Sequence, residues 1–539
     1  MPSRARLLTP PWAAEFENQR GMGRFTGEKQ MLFLDQLKRN CEIYGDKPAI
    51  VYVQPDRCDT LTYGQLETTL QKTIGYLQSL GVEPGDRVAL QLPRCLPFIY
   101  LHLAVMRLNA ISLPLNPAYV EPELRYFLHD SQSKVLFADA ANKDRVEGIA
   151  AGLPALETRL YLNHDPAAHF ASLLADIQVS QADLPDFPTD RMSTALMLYT
   201  SGTTGYPKGA EITHGNLTAN IDALQSAWGW RDDDNLLHVL PLFHVHGLVV
   251  ALHGALNAGA TTTLLPRFEP KLVLDTLVEQ GCTVFMAVPT IHKRLVDFPD
   301  ATAYDLRCVR LITSGSDRLP DDVFARFKEV FGHTLLERYG MTETGMNLSN
   351  PLQGERRVGS VGLPLPGVEA RMVNPETLEV VPDGEVGELH IRGPHVFKGY
   401  WRKPEQTAQA FTGDGWLKTG DLALRESDGY FTLKGRLKDL IITGGLNVYP
   451  PEVELVLADH LAVAASAVIG CQNAEWGEQV VAVIVLKTGQ NVTPEDIIGY
   501  CRKHLANYKV PKRVEFVDEL PRNTLGKVQK ARLRTLLCR

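Results

Sequence analysis

Several things are scarce in this chain, and each scarcity removes a class of function. No apolar run reaches the ~18 residues that a membrane-spanning helix needs. The eight cysteines, at positions 41, 58, 95, 282, 308, 471, 501 and 538, are scattered with no Cys-x-x-Cys pair. That pattern speaks for a reduced, cytoplasmic setting and against a structural zinc or a disulfide framework. Positive charge is not in excess: 55 Lys and Arg face 63 Asp and Glu, a net charge of −8 without long blocks. A nucleic-acid partner is therefore not expected. Internal repeats and low-complexity tracts are missing too. The N-terminal residues carry Arg4, Arg6, Arg20 and Arg24 without an apolar stretch, so a secretory signal is not expected. An organelle transit peptide stays open, with Glu15 and Glu17 speaking against it.

What is present is long and patterned. A chain of 539 residues is too large for one core, so two or more domains are expected. Residues 1–30 read as an extension with little pattern. From Thr62 a helix starts on a capping box with Gln65, presents Leu66, Leu70, Ile74, Leu77 and Leu80 on one face, and stops at Gly81. A strand at 87–92 and a buried helix at 97–109 follow. Strands and helices keep alternating through 261–265, 270–280, 283–287 and 309–313, the signature of largely parallel sheets with ligands near the carboxyl ends of the strands. Near residue 360 glycines begin to punctuate short alternating strands, which indicates a β-rich subdomain. After Gly435-Arg436-Leu437-Lys438 the texture changes again, to a Pro450-Pro451 helix start, strands at 464–469 and 480–486, and a helix capped by Thr493 with Pro494 behind it. The expected fold class is α/β: a large domain of mixed sheets with helices and a β-rich subdomain over 31–437, then a small α+β domain over 438–539.

One stretch organises the rest: Tyr199-Thr200-Ser201-Gly202-Thr203-Thr204-Gly205-Tyr206-Pro207-Lys208-Gly209. Ala195-Leu196-Met197-Leu198 leads into it as a buried strand, and Thr213 caps a helix beyond it that carries Leu217, Ile221 and Leu224 on one face. Glycines let backbone N–H groups approach an anion, hydroxyls donate, and the lysine supplies a point charge. This is a phosphate cradle, although it lacks the Gly-Lys-Ser/Thr ending of the Walker loop.

Further along, Tyr339-Gly340-Met341-Thr342-Glu343-Thr344 places a carboxylate beside two hydroxyls, which suits a magnesium ion that also holds substrate phosphates. Asp421, in Lys418-Thr419-Gly420-Asp421, suits hydrogen bonds from a ribose. Taken alone, either acid reads equally as a solvated side chain. Lys527 follows Gly526 on an expected loop tip. His244 and His246, in Pro241-Leu242-Phe243-His244-Val245-His246-Gly247, would face one side of a strand. With no third ligand at nearby spacing, they read as a pocket wall rather than a metal pair.

Taken in order, these stretches resemble the motifs of the adenylate-forming enzymes, a superfamily of acyl-CoA synthetases, peptide-synthetase adenylation domains and luciferases. The resemblance covers roughly residues 30–530. It implies ATP, Mg2+ and coenzyme A as reaction partners, an acyl-adenylate intermediate, and a mobile C-terminal domain that swings about Lys438. It assigns the phosphates to Thr200, Ser201, Gly202, Thr203, Thr204, Gly205 and Lys208, and the nucleotide also to Tyr339, Asp421 and Arg436. Thr342, Glu343 and Lys527 become the catalytic residues, with Glu343 on magnesium. Gly444 and Gly445, in Gly444-Gly445-Leu446-Asn447-Val448-Tyr449, match the loop that enters for thioester formation. A carboxylic acid, which ordinarily titrates at ~4, is ionised at neutral pH. It therefore needs no general base, and the absence of a Ser-His-Asp triad is no objection.

Within that superfamily the chain is most similar to the malonyl-CoA synthetases, through Leu240–Leu248, the run 336–343 and Asn347-Leu348-Ser349-Asn350-Pro351. A buried second carboxylate calls for arginine. Arg267 and Arg310 match positions used or proposed for this, with His244 and His246 on the acyl pocket. The alternative is that Arg310 braces its strand and Arg267 is solvated. Asp317-Arg318 depart from the family's small residues after Ser314-Gly315-Ser316, and either pair with each other or reshape the pocket. The remaining alternatives are a CoA ligase for a fatty or aromatic monocarboxylic acid, a carrier-protein adenylation enzyme, and an inactive nucleotide-binding regulator.

Overall fold

The computed structural model describes residues 31–539 apart from 55–56, 164, 176, 178–189, 201–206, 445, 474–475, 523–525 and 539. The chain forms two compact units, one made of residues 1–358, 364–369 and 391–417, the other of 359–363, 370–390 and 418–539. Lys438, expected at a domain boundary, falls inside the second unit.

The first unit holds two large sheets. In one, the parallel strands Ile111–Pro114, Arg87–Gln91, Val135–Asp139 and Thr158–Leu162 continue from Thr194–Thr200, which runs antiparallel to Lys208–Thr213; Gly399–Tyr400 closes the edge. In the other, Leu336–Met341, Leu311–Ser314, Val284–Ala287, Asn235–His238, Thr261–Leu264 and Pro48–Val53 lie parallel in that order. Gly345–Ser349 adds an antiparallel strand beside Leu336–Met341. Between the sheets lies the helix Leu96–Arg107, buried at every residue. Its sequence is apolar nearly all round, as a helix with no solvent face must be. One core contains its Phe98, Leu101 and Val105 together with Ile50 and Leu264 of one sheet and Val88 and Leu90 of the other.

The local signals behave as their chemistry dictates. Thr62 and Gln65 form the reciprocal capping box of Tyr63–Ser79, and Thr213 does the same with Asn216 for His214–Trp228. Leu217, Ile221 and Leu224 are buried on that helix. Among the described residues no helix is long and apolar enough to cross a membrane.

The second unit contains most of a small sheet in the order Glu369–Val373, Val386–Arg392, Leu417–Arg425 and Phe431–Arg436, and a C-terminal sheet built on the long hairpin Val463–Asn473 and Gly477–Leu486. Alternating residues of that hairpin feed two cores. Val468, Val480, Ala482 and Ile484 meet Val453 and Leu457 of Pro450–Ala458 and Ile497 of Pro494–His504. Ile469, Val481 and Val483 meet Leu533 of Lys530–Leu537 on the opposite face. The expected α/β class, with a small α+β C-terminal part, is the observed one. The expectation of thiols without disulfides is corrected at one place: Cys471 and Cys538 are bonded. They lie 67 residues apart, so spacing gave no hint. The end of one strand and the end of the last helix bring them together.

Candidate active site

The phosphate-loop candidates sit on a hairpin rather than on a strand–loop–helix turn. Thr200 ends one strand, Lys208 begins the next, and the two are paired in register. Ser201, Gly202, Thr203, Thr204 and Gly205 lie outside the described residues. The hairpin is fastened from outside. Tyr199 donates its hydroxyl to Asp130 at 2.8 Å, Lys403 pairs with the same carboxylate at 2.9 Å, and Tyr126 donates to the carbonyl of Pro207 at 2.6 Å.

Tyr339 lies on the strand Leu336–Met341, and Thr342-Glu343-Thr344 forms the tight turn into Gly345–Ser349. A Cβ on Gly340 would stand 2.1 Å from the carbonyl oxygen of Gly345, so only glycine lets the hairpin close this tightly. Glu343 is 7 % exposed, its carbonyl accepts from the Phe397 N–H at 2.8 Å, and its Oε1 accepts from the Tyr400 hydroxyl at 2.8 Å. No cluster of three metal-ligating side chains exists among the described residues. One buried carboxylate with a neighbouring hydroxyl still fits magnesium, which keeps waters and takes its other ligands from substrate phosphates.

Polar side chains cluster toward the carboxyl ends of the parallel strands. His238 closes Asn235–His238, Ser314 closes Leu311–Ser314, and Arg338 follows on Leu336–Met341. His238 bonds the carbonyl of Gly247 at 2.7 Å, His292 that of Thr313 at 3.1 Å, and His246 the hydroxyl of Ser316 at 3.1 Å. Ser316 holds a φ of 71°, a left-handed conformation that a non-glycine residue adopts at a cost. Burial depresses all three imidazoles, His238 and His292 to about 4 and His246 well below its ordinary value. They are neutral at physiological pH.

Arg338 is the cation among them. It is 3 % exposed, and its Nε and Nη2 have no partner among the described residues. Burial pulls its pKa down to about 9. A Cβ on Gly315 would lie 2.4 Å from the guanidinium carbon, so the glycine makes room for the arginine. His246 Nε2, Ser314 Oγ and Thr313 Oγ1 are likewise buried and unpartnered among the described residues. Buried polar atoms are normally satisfied. By strand alternation Thr313, paired with Leu336, shares the Arg338 face, while Ser314, paired with Glu337, points to the other side. A buried guanidinium with unpartnered donors, within electrostatic reach of the buried His246, has the chemistry of an anion site.

The acyl-pocket candidates divide. His246 lies within electrostatic reach of Arg338, but not by strand alternation: residues His246–His253 form a π-helix, and the half-buried His244 precedes it with its ring 4.7 Å from that of Phe243. Arg310 is corrected. Its Nε donates to Asp234 at 2.8 Å and its Nη1 to the carbonyl of Trp228 at 3.1 Å. Both Arg310 and Asp234 precede their strands, at the amino ends, a strand length of roughly 13 Å from the pocket at 3.3 Å per residue. Arg310 is the brace, and Asp234 holds it with further bonds from Thr283 and the Arg231 N–H. Arg267 follows Thr261–Leu264 at its carboxyl end. Its side chain is 69 % exposed and lies 3.5 Å from Glu269. Arg318 pairs with Asp321 at 3.3 Å on the surface, not with Asp317 and not in the pocket. Arg338 escaped the sequence reading. The available signal was a charged pair, Glu337-Arg338, inside a strand that is otherwise buried.

In the second unit, Arg436 and Asp421 face each other across the hairpin Leu417–Arg425 and Phe431–Arg436 and pair at 2.6 Å. Lys438 lies in the single turn Leu437–Asp439, where burial lowers its pKa. Gly444 has a φ of 57° and donates its N–H to the carbonyl of Trp476 at 2.8 Å, while Gly445 lies outside the described residues. Lys527 is exposed, beside the bridge between Arg522 and Val528.

Comparison with known proteins agrees with this geometry. The AMP-binding enzyme family matches residues 37–401, and the AMP-binding enzyme C-terminal domain family matches residues 452–527. The chain is 39 % identical to the mitochondrial malonate–CoA ligase ACSF3 of Xenopus laevis over 83 % of this chain and 82 % of that protein. It is 34 % identical to a long-chain-fatty-acid–CoA ligase of Bacillus subtilis over 97 % of each. ATP-bound MatB from Rhodopseudomonas palustris superposes with a TM-score of 0.86 at 39 % identity, over 94 % of this chain and 99 % of that one. By motif order, by architecture and by these matches, the chain belongs to the AMP-binding enzyme family.

Proposed function

We propose that this protein is an ATP-dependent malonate–CoA ligase that forms malonyl-adenylate and pyrophosphate, then malonyl-CoA and AMP. The observation that carries the substrate is Arg338, a buried guanidinium with unpartnered donors among neutral imidazoles and hydroxyls. A monocarboxylate leaves such a group without its counter-charge. Malonate has one carboxylate to react and one to pair. His246, and Thr313 on the same face of the sheet as Arg338, supply hydrogen-bonding groups on its side. The malonate–CoA ligase names of the relatives support the same reading.

The chain's own groups account for the first half-reaction. An ionised carboxylate attacks the α-phosphorus, and the difficulty is to gather anions, which demands donors placed beforehand. Thr200, Lys208 and the intervening loop take the β- and γ-phosphates, Tyr339 the adenine, and Asp421 with Arg436 the ribose. Glu343, beside Thr342, would hold magnesium, which offsets phosphate charge when bound. Lys527 neutralises the carboxylate and the α-phosphate as they meet. Its withdrawal about Lys438 then admits the thiol of CoA along Gly444 and Gly445. The six free cysteines support a cytoplasmic setting. The test is pyrophosphate release with purified enzyme, with and without CoA. Malonate-dependent release matched one-to-one by AMP and malonyl-CoA is expected, and release unaffected by malonate would refute the reading.

A further inference from the structure

Two candidate ligand-binding groups, Lys208 of the phosphate hairpin and Glu343 of the turn after Tyr339, share one neighbour from a distant part of the sequence. Tyr400 directs its hydroxyl to Glu343 Oε1 at 2.8 Å and presents its ring to Lys208, whose Nζ lies 4.7 Å from the ring centroid. The backbone around Tyr400 joins the same two elements. Gly399 and Tyr400 pair with Glu211 and Ala210 of the Lys208 strand, the Trp401 N–H donates to Gly209 at 2.8 Å, and the Phe397 N–H donates to the carbonyl of Glu343 at 2.8 Å. Thr407 Oγ1 accepts from the Tyr400 N–H at 2.9 Å and fixes the strap from behind.

We infer that Tyr400 is a positioning residue that sets the phosphate-binding lysine and the magnesium-binding carboxylate for MgATP. The inference rests on the ligase reading of Lys208 and Glu343. Its physical logic is the avoidance of a self-inhibiting ion pair. A lysine and a carboxylate this near would attract each other, and a direct pair must be broken before either can serve a ligand. A phenol gives each a weaker, neutral partner: the hydroxyl donates to the carboxylate and the ring face attracts the ammonium. Both side chains are then held in place without a direct ion pair between them. A phenol, which ordinarily titrates at ~10, is protonated at neutral pH, so the hydroxyl is the donor in this bond.

The test separates hydroxyl, ring and strap by calorimetric ATP binding, first with EDTA and then with excess Mg2+. In wild type, Mg2+ is expected to tighten ATP binding. Tyr400→Phe keeps the ring under Lys208 and loses only the bond to Glu343. Its metal-free affinity should stay within about two-fold while the gain from Mg2+ falls about ten-fold, the scale of a lost hydrogen bond to a charged group. Tyr400→Leu removes the ring as well and should weaken metal-free binding too. Thr407→Val loosens the strap without touching either contact. It should lower the thermal midpoint and retain the Mg2+ gain. Equal loss of affinity with and without Mg2+ in Tyr400→Phe, or loss of the Mg2+ gain in Thr407→Val, would make Tyr400 a structural residue and overturn the inference. A full Mg2+ gain in Tyr400→Phe would overturn it alone. A wild type with no Mg2+ gain would overturn the magnesium reading of Glu343 along with it.

Discussion

Replacing Arg338 by methionine separates substrate recognition from folding. Methionine fills a similar elongated volume without charge. In the ligand-free protein the guanidinium is buried with two donors unpartnered among the described residues, and an unsatisfied buried polar group costs about 1–3 kcal/mol, more when charged. Replacement by an apolar side chain of like size is therefore neutral or stabilising in the free enzyme. With malonate bound the sign reverses. The distal carboxylate would be buried without a counter-charge, at about 3–5 kcal/mol by analogy with broken buried pairs. That is about two to four orders of magnitude in kcat/KM at ~1.4 kcal/mol per decade. Butyrate, with no distal charge, should react as well as with wild type or better. The assay is pyrophosphate release over a concentration series of each acid, with thermal melting of the same preparations. An equal fall for malonate and butyrate, or a lower melting point with selectivity intact, would show that Arg338 serves the fold and not the substrate.

Arg310→Ala should do the reverse. It strands the fully buried Asp234, costs about 3–5 kcal/mol of stability, and leaves the ratio of malonate to butyrate kcat/KM unchanged; a malonate-specific loss would put Arg310 back in the pocket. Burial alone would raise the Asp234 pKa, but the bonds from Arg310, Thr283 and Arg231 outweigh it and hold it below the ordinary value. The stabilisation is therefore present above the unfolded aspartate pKa of ~3.9 and lost as pH falls through the folded one. The melting-point gap between wild type and variant should narrow as pH is lowered below ~4. Lys527→Ala should cut adenylate formation by orders of magnitude and spare thioester formation from supplied malonyl-adenylate, because its charge is needed only while the phosphate is attacked. Rapid-quench measurement of the two half-reactions checks this, and equal losses would contradict the assignment.

Composition points to a nucleotide side because the chemistry proposed for it is local. Glycines, hydroxyls and one lysine crowd into 199–209, and Thr213 announces the helix beyond. The proposed acyl side is assembled from separate strands and helices, and there local reading misleads. Family resemblance names Arg310 as a pocket arginine, yet it stands at the amino end of its strand and its partner lies 76 residues away, the bracing role that was the alternative. His244 and His246 were placed on a strand because a short apolar run has no period that separates a strand from a helix; the segment winds into a π-helix instead. Arg338 stands in plain view beside Tyr339, but the sequence does not say which buried side chain is left with unpartnered donors. Tyr400 is invisible for the same reason, since its two contacts lie 57 and 192 residues upstream.

The central claim, that a malonate-selective ligase is built around Arg338, is tested most directly by competition. Wild-type enzyme is supplied with ATP, Mg2+, CoA and equimolar malonate, butyrate, octanoate and benzoate, and the CoA thioesters are quantified by mass spectrometry at early times, so that their ratios report kcat/KM directly. Malonyl-CoA should exceed each other thioester by about two orders of magnitude or more, the low end of the scale set by one buried charge pair. A dominant butyryl-, octanoyl- or benzoyl-CoA would contradict the account and leave Arg338 without its proposed partner.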